Sequence, residues 1–381
     1  MYCGTFDRPA WAEIDLAAIA HNMRELRKTT DSKSKIMAVV KADAYGHGAV
    51  PVSRVVLQHG ADYLGVAVLE EARQLRKAGI DASILILGYT PAEQASELVG
   101  LNITQTIYDY TTAVAVSQAA VSLGKTARVH IKIDTGMGRI GFTTADVQAP
   151  NEILKIARLP GLEIEGIFTH FAVAEVEDKE YTYVQYKQFI DLDLQLKQLG
   201  VHIPVKHAAN SAAIIDLPDT HLDMVRAGIS IYGLSPFDEE KQEKLNLRPA
   251  LSLKARIAQV KTVPAGASIS YGRTYTTERE SVIATIPVGY ADGYTRLFSN
   301  KVTILAQGLR VPQIGTICMD QFMIDVTNLS DEIKAGDEVV LIGQQKNQKI
   351  TADELAGLIG TINYEIICMI SDRIPRLYID E

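Results

Sequence analysis

The stretch VHIKIDTGMGRIGF, residues 129–142, admits two readings that lead to different folds. Its first half alternates: Val129, Ile131 and Ile133 fall on one face of an extended strand, and His130, Lys132 and Asp134 on the other. Three ionisable groups on one face need either a polar interior, such as the rim of a parallel barrel, or a buried ionic cluster in which they satisfy one another. The second half, GMGRIG (136–141), matches the G-x-G-x-x-G fingerprint of a dinucleotide site and would make the fold a doubly wound sheet. Its context argues against that reading. Phe142, Thr143 and Thr144 stand where the first helical turn should begin, and Pro150 follows closely. The glycines then read as a tight loop at a barrel rim that lets Arg139 approach a site.

Outward from this stretch, apolar runs recur at KIMAVVKA (35–42), YLGVAV (63–68), SILILG (83–88), ITQTIY (103–108), EIEGIFTH (163–170), IPVKHA (203–208) and DMVRAGI (223–229). Segments of helical periodicity lie between them, among them LEEARQLRKAG (69–79) and YTYVQYKQFIDLDLQLKQLG (181–200), the latter ending on a glycine suited to a helix C-cap. With VHIKID, eight strand-helix units predict an α/β fold, a TIM-like (β/α)8 barrel over 1–245. After the charged, turn-rich GLSPFDEEKQEKLNLRPA (233–250) helical periodicity nearly vanishes, which predicts a mostly β domain over 246–381 with one helix around TADELAGLIG (351–360).

Barrel enzymes carry their chemistry at the C-terminal ends of the strands. Lys41 ends the first run and His170 the sixth. His207, Asn210 and Ser211 follow the seventh, and Gly228 and Ile229 end the eighth. Lys41 closes an apolar run where an interior rejects a charge, so it is a surfacing strand end, a partner for a carboxylate such as Asp43, or a nucleophile at a pocket rim.

The bulk numbers narrow the function. The chain has 381 residues, 47% of them apolar and 22% charged, and a net charge of −8, a balance that argues against nucleic-acid or anionic-membrane partners and favours a small molecule. No apolar run reaches the length of a membrane span and the N-terminus has no signal pattern, so a cytoplasmic location is expected. Cys3, Cys318 and Cys368 lack metal-site spacing and are expected to be buried or inert thiols, with no metal bound.

AVVKADAYGHG, KIDTGMGRIGF, THFAVAE, HAANSAA, MVRAGISIYG, ISYGRTY, PVGYADGY, GTICMDQFMIDV and INYEI, in this order over nearly the whole chain, resemble alanine racemases, the fold III class of pyridoxal-phosphate enzymes. The resemblance implies a homodimer in which each subunit completes the other's site, interconverting L- and D-alanine for peptidoglycan synthesis. Lys41 would be the Schiff-base lysine and one of two bases, and Tyr271 of a neighbouring subunit the other. Tyr45, Ser211, Gly228, Ile229 and Tyr364 would hold the cofactor phosphate, with Asn210 beside them. Arg226 would face the pyridine nitrogen, and His170 would link Arg226 to the catalytic tyrosine, since a phenol with a pKa near ~10 needs a polar relay to act as a base. His207 would support this set. Arg139 and the backbone of Met319 would bind the substrate carboxylate. Lys132 matches a lysine that is often carbamylated, which would relieve its repulsion with Arg139.

Two positions depart from the family pattern. Thr316 stands where an arginine is frequent and Glu175 where an aspartate is common, both in an access corridor with Tyr290, Arg296 and Ile362. The alternatives are a racemase for another small amino acid such as serine, a cofactor-binding barrel without turnover, and a fold III decarboxylase, which would need a carboxylate at the pyridine nitrogen.

Overall fold

The computed structural model describes residues 8–237, 245–329 and 332–380. The eight apolar runs are strands: Lys35–Val39, Tyr63–Val66, Ser83–Ile86, Thr104–Ile107, Ala127–Asp134, Leu162–Phe168, Val205–His207 and Met224–Ala227. They lie side by side in parallel, with Met224–Ala227 against Lys35–Val39 at one end of the order and Val205–His207 at the other. Two backbone hydrogen bonds, Asp223 N–H to Lys206 O (3.0 Å) and Arg226 N–H to Ala209 O (2.9 Å), join those ends. The result is a nearly closed barrel.

The helices form where the apolar spacing demands. Leu69–Lys77 buries Leu69, Ala72 and Leu75, one stripe of a helix, against the strands, and Glu70 and Glu71 in its first turn complement the helix dipole. Glu180–Gln198 ends as expected at Gly200, whose φ of 82° only glycine adopts without strain. The GMGRIG segment opens no helix. It leads into the two-residue strand Phe142–Thr143, parallel to Ile133–Asp134, and the next helix starts at Ala149. Gly141 sits at φ 135° with its missing Cβ only 2.5 Å from Asp134 N, so the glycine serves a tight return past the strand end.

The expected boundary at 245/246 divides the chain into two consecutive pieces, whereas its contacts group it otherwise. Ala18–Ala44 with Gly48–Arg248 form one compact unit; Tyr45–His47 and everything from Pro249 onward join the described residues up to Ala17 in the other. The reason is the strand Ala10–Asp15. With Ala10, Trp11, Ala12 and Ile14 buried, it pairs between Leu251–Arg256, antiparallel, and Arg376–Ile379, parallel.

That second unit is a ten-stranded sheet, mostly antiparallel. Its strand Leu309–Ile314 bends, pairing first with Thr303–Ala306 and then with Phe322–Asp325. The expected helix is Ala352–Ile359, and a second, Asn363–Cys368, follows it. Cys368 is exposed rather than buried and Cys318 is partly buried, both as free thiols; Cys3 lies outside the described residues. Among the described residues no helix is long and apolar enough to cross a membrane.

Candidate active site

Lys41 follows the strand Lys35–Val39 after Val40, at the barrel's C-terminal rim. From there the chain does something that its residue types conceal. Ala42, Asp43, Ala44 and Tyr45 have φ of 52°, 50°, 54° and 54°, a left-handed turn built without glycine. Such a conformation costs roughly 1–2 kcal/mol per residue, so it must be held. Glu71 accepts from Ala42 N–H at 2.6 Å and from Ala67 N–H at 2.6 Å, Val40 O accepts from Ala44 N–H, and Asp43 Oδ1 accepts from Ala49 N–H at 2.7 Å. Glu71 was not singled out in the sequence, where it is one acid among the first-turn acids of a helix.

Around the same rim the barrel gathers Lys41, Lys132, Arg139, His170 and Arg226: all four cations act on His170, whose imidazole burial and these charges hold well below its ordinary range. Arg226 is 4% exposed, and burial and Arg139 lower it to about 9, which leaves it charged at neutral pH. Its NH1 donates to His207 Nδ1 (2.9 Å). Its NH2 faces Thr169 O (2.8 Å), Ala208 O (2.8 Å) and His170 Nδ1 (3.1 Å). A guanidinium has hydrogens and no lone pair to offer, so His170 presents a bare Nδ1 to it and carries its own proton on Nε2.

Burial, Arg226 and Arg139, against the opposing Asp134, bring the Lys132 ammonium from 10.5 down to about 7, and its Nζ donates to Ile133 O at 2.6 Å. The sign for stability follows: between about pH 7 and 10.5 the unfolded chain binds this proton and the folded one does not, so stability rises with pH across that window. In buffer free of carbon dioxide, urea melts of wild type and Lys132→Met should diverge in favour of wild type by about 1 kcal/mol per pH unit from pH 7 to 9. A constant difference would contradict it.

After the seventh strand Asn210 caps the helix Ser211–Asp216, its side chain accepting from Ala213 N–H at 3.0 Å. Ser211 Oγ accepts from Gly228 N–H at 2.9 Å, which ties the turn after the seventh strand to Gly228 and Ile229 after the eighth. Among the described residues neither Arg226 nor Lys132 sits in an ion pair. A rim of cations, Arg226 and Lys132 buried among them, closed by a hydroxyl and backbone amides fits an anionic cofactor and an anionic substrate.

In the β-rich unit Tyr45, buried, has its ring 6.1 Å from that of Tyr364. Tyr271 is 70% exposed on a turn whose preceding residue, Ser270, holds φ 66°. Ser270 Oγ donates to Thr316 O at 2.5 Å, and Thr316 Oγ1 donates to Tyr271 O at 2.8 Å. Thr316, expected along an access corridor, is buried and its hydroxyl tethers the Tyr271 turn. Glu175, in the barrel unit, and Tyr290, Arg296 and Ile362, in the other, are exposed.

Met319 is set by a residue absent from the expected site. Asp292, its side chain fully buried, accepts from Gly289 N–H (2.9 Å) and pairs with Arg8 (2.6 Å), while Ala291 N–H donates to Met319 O. A Cβ at Gly289 would lie 2.3 Å from Met319 O and 2.4 Å from Cys318 O, both backbone. Gly289→Ala should therefore destabilise by about 1–3 kcal/mol and raise the KM for a carboxylate substrate more than it lowers kcat. Unchanged melting and KM would remove Met319 from substrate binding.

Two family models match, the N-terminal domain of alanine racemase over residues 14–236 and its C-terminal domain over 250–378. The chain belongs to the alanine racemase family. An alanine racemase of Clostridium perfringens is 51% identical over 371 residues, 97% of this chain and 95% of that one. One from Methanococcus maripaludis is 49% identical, covering 97% and 99%. The solved alanine racemase of Clostridium difficile superposes with a TM-score of 0.94 at 44% identity, covering 99% of this chain and 97% of that one; the Bacillus anthracis enzyme with bound L-Ala-P gives 0.93 at 41%, covering 99% and 96%. Alanine racemases depend on pyridoxal 5′-phosphate, and the cationic rim described above suits that group.

Proposed function

We propose that this chain interconverts L- and D-alanine with two bases, Lys41 on one face of the cofactor and Tyr271 of a second copy on the other. The observation that carries the reading is Arg226, buried, charged and bonded to carbonyls and imidazoles alone. When bound, pyridoxal phosphate supplies the electron sink that makes an amino acid's α-hydrogen acidic. Lys41 would hold it through Nζ and would take or return the α-proton on its own face. Tyr45, Ser211, Gly228, Ile229 and Tyr364 would hold its phosphate, with Asn210 beside them. Arg226, a donor without a proton to give up, would hold the pyridine-nitrogen end of the bound group and would not protonate it, which would disfavour transamination. His170, with its proton on Nε2, steadies the Tyr271 oxygen once that oxygen has lost its proton.

Arg139 and Met319 N–H bind the substrate carboxylate. Lys132, about half neutral at pH 7, is poised to add carbon dioxide; as a carbamate it would orient Arg139 and cease to titrate. A carbamate carbonyl signal in the NMR spectrum of protein incubated with 13C-bicarbonate, lost in Lys132→Met, is the expected result, and its absence would overturn the carbamate.

The exposed Tyr271, Leu297, Met319 and Ile362 of the β-rich unit support a homodimer in which the second copy covers them. A cytoplasmic location and supply of D-alanine for peptidoglycan complete the reading. The test is α-proton exchange in deuterium oxide with loss of optical rotation. Exchange and racemisation of alanine uphold the function, whereas bound cofactor without either would leave a carrier barrel.

Tyr364 decides substrate size in this reading, since its phenol leaves room for a methyl group. Tyr364→Asn should raise serine turnover relative to alanine by about tenfold, the order that a small change of pocket volume is worth. An unchanged ratio would remove the account.

A further inference from the structure

The bonds from Arg226 do not stop at His207. His207 Nε2 lies 2.8 Å from His130 Nδ1, His130 Nε2 lies 3.2 Å from Glu165 Oε2, and Tyr63 OH donates to Glu165 Oε1 at 3.1 Å. Both imidazoles are fully buried, and burial holds both below their ordinary range, so both are neutral. A neutral imidazole has one N–H and one lone pair. The guanidinium at one end only donates and the carboxylate at the other only accepts. One assignment satisfies every link: His207 and His130 both carry their proton on Nε2, and all the bonds from Arg226 to Glu165 point the same way.

The surroundings are shaped for this line. A Cβ at Gly166, the residue after Glu165, would lie 2.5 Å from His130 Nδ1 and Cε1, so glycine makes the space that the imidazole fills. Phe168 stacks on His207 at 4.6 Å and 5°, and the Arg226 guanidinium lies 5.4 Å from the centre of the same ring.

We propose that Glu165 and His130 are positioning residues for Arg226: the carboxylate fixes the direction of the hydrogen bonds through both histidines, so that His207 always turns a lone pair to the guanidinium. This rests on the proposed role of Arg226 and His170 in racemisation. Without Glu165, His130 Nε2–H has no acceptor, and both imidazoles are free to shift their proton to Nδ1. His207 would then point a hydrogen at Arg226. Two donors cannot share that contact, so Arg226 would move, and the His170 lone pair it holds would be released with it.

The test uses the full-length holoenzyme labelled with 15N-histidine, read by long-range proton–nitrogen correlation, together with kcat and KM for alanine. Wild type should show the proton on Nε2 of both His130 and His207. Glu165→Gln, which can keep an oxygen toward His130 and turn its amide nitrogen to Tyr63, should retain that pattern and a kcat within about threefold. Glu165→Leu should show Nδ1–H species and lose about tenfold or more in kcat, with KM less affected. An Nδ1 proton on either histidine in wild type overturns the proposal whether or not Glu165→Leu folds, as does wild-type kcat in a folded Glu165→Leu. Failure of the racemase reading is distinguishable, because wild type would then show the Nε2 pattern without racemising alanine.

Discussion

Lys41→Ala should lose about 10³-fold or more in racemisation from either enantiomer, within the range that a single acid-base or nucleophilic group contributes. Two losses coincide at this one side chain. In the proposed mechanism its Nζ would anchor the cofactor, so the variant should bind pyridoxal phosphate reversibly, with the absorption of the free aldehyde. The proposed mechanism also makes it the base on the D-alanine face, so deuterium exchange into D-alanine should disappear while exchange into L-alanine persists at a reduced rate. Small primary amines added to the buffer should restore part of the D-alanine exchange by standing in for the missing nitrogen. The Glu71-held backbone is untouched by truncation at Cβ, so melting should change little. Retention of wild-type rates, or of the covalent cofactor, would remove Lys41 from the reaction.

Tyr271→Phe should give the complementary asymmetry. Removing one oxygen leaves the aromatic ring and the Ser270–Thr316 bond intact, so the turn should keep its shape. With Lys41 still in place, D-alanine should exchange its α-hydrogen for deuterium and return as D-alanine, because the same base removes and restores the proton. L-alanine should exchange about 10²–10⁴-fold more slowly than with wild type, and racemisation in both directions should fall with it. Equal loss of exchange from both enantiomers would mean that the phenol orients substrate and moves no proton.

Much of this site was legible in the sequence because it obeys simple periodicities. Lys41, Lys132 and His170 stand where a two-residue repeat or a strand end puts a charge at a barrel rim, and the structure gathers them there. The left-handed turn from Ala42 to Tyr45 was not legible: its residues are ordinary, and the conformation is imposed by acceptors far along the chain, above all Glu71. The strand Leu309–Ile314 was hidden by Pro312, which breaks the usual strand pattern. Glu165 sits in an apolar run with no local sign of its partner, since His130 meets it only when neighbouring strands align. Tyr271 and Met319 were reached through family resemblance, because an exposed turn carries no periodic signal at all.

The strand Ala10–Asp15 has a consequence for biosynthesis. It is made before the barrel, yet the strands flanking it, Leu251–Arg256 and Arg376–Ile379, are made after the barrel. Most of the barrel's neighbours follow one another in the chain and can pair as they are made, whereas the sheet cannot be completed until Arg376–Ile379 has been made. A fragment cut at residue 246 would lack that strand and present Leu251–Arg256 as a bare edge, open to pairing with other chains. Segments from before and after the barrel are thus stitched into one sheet, and loss of either reaches the same structure.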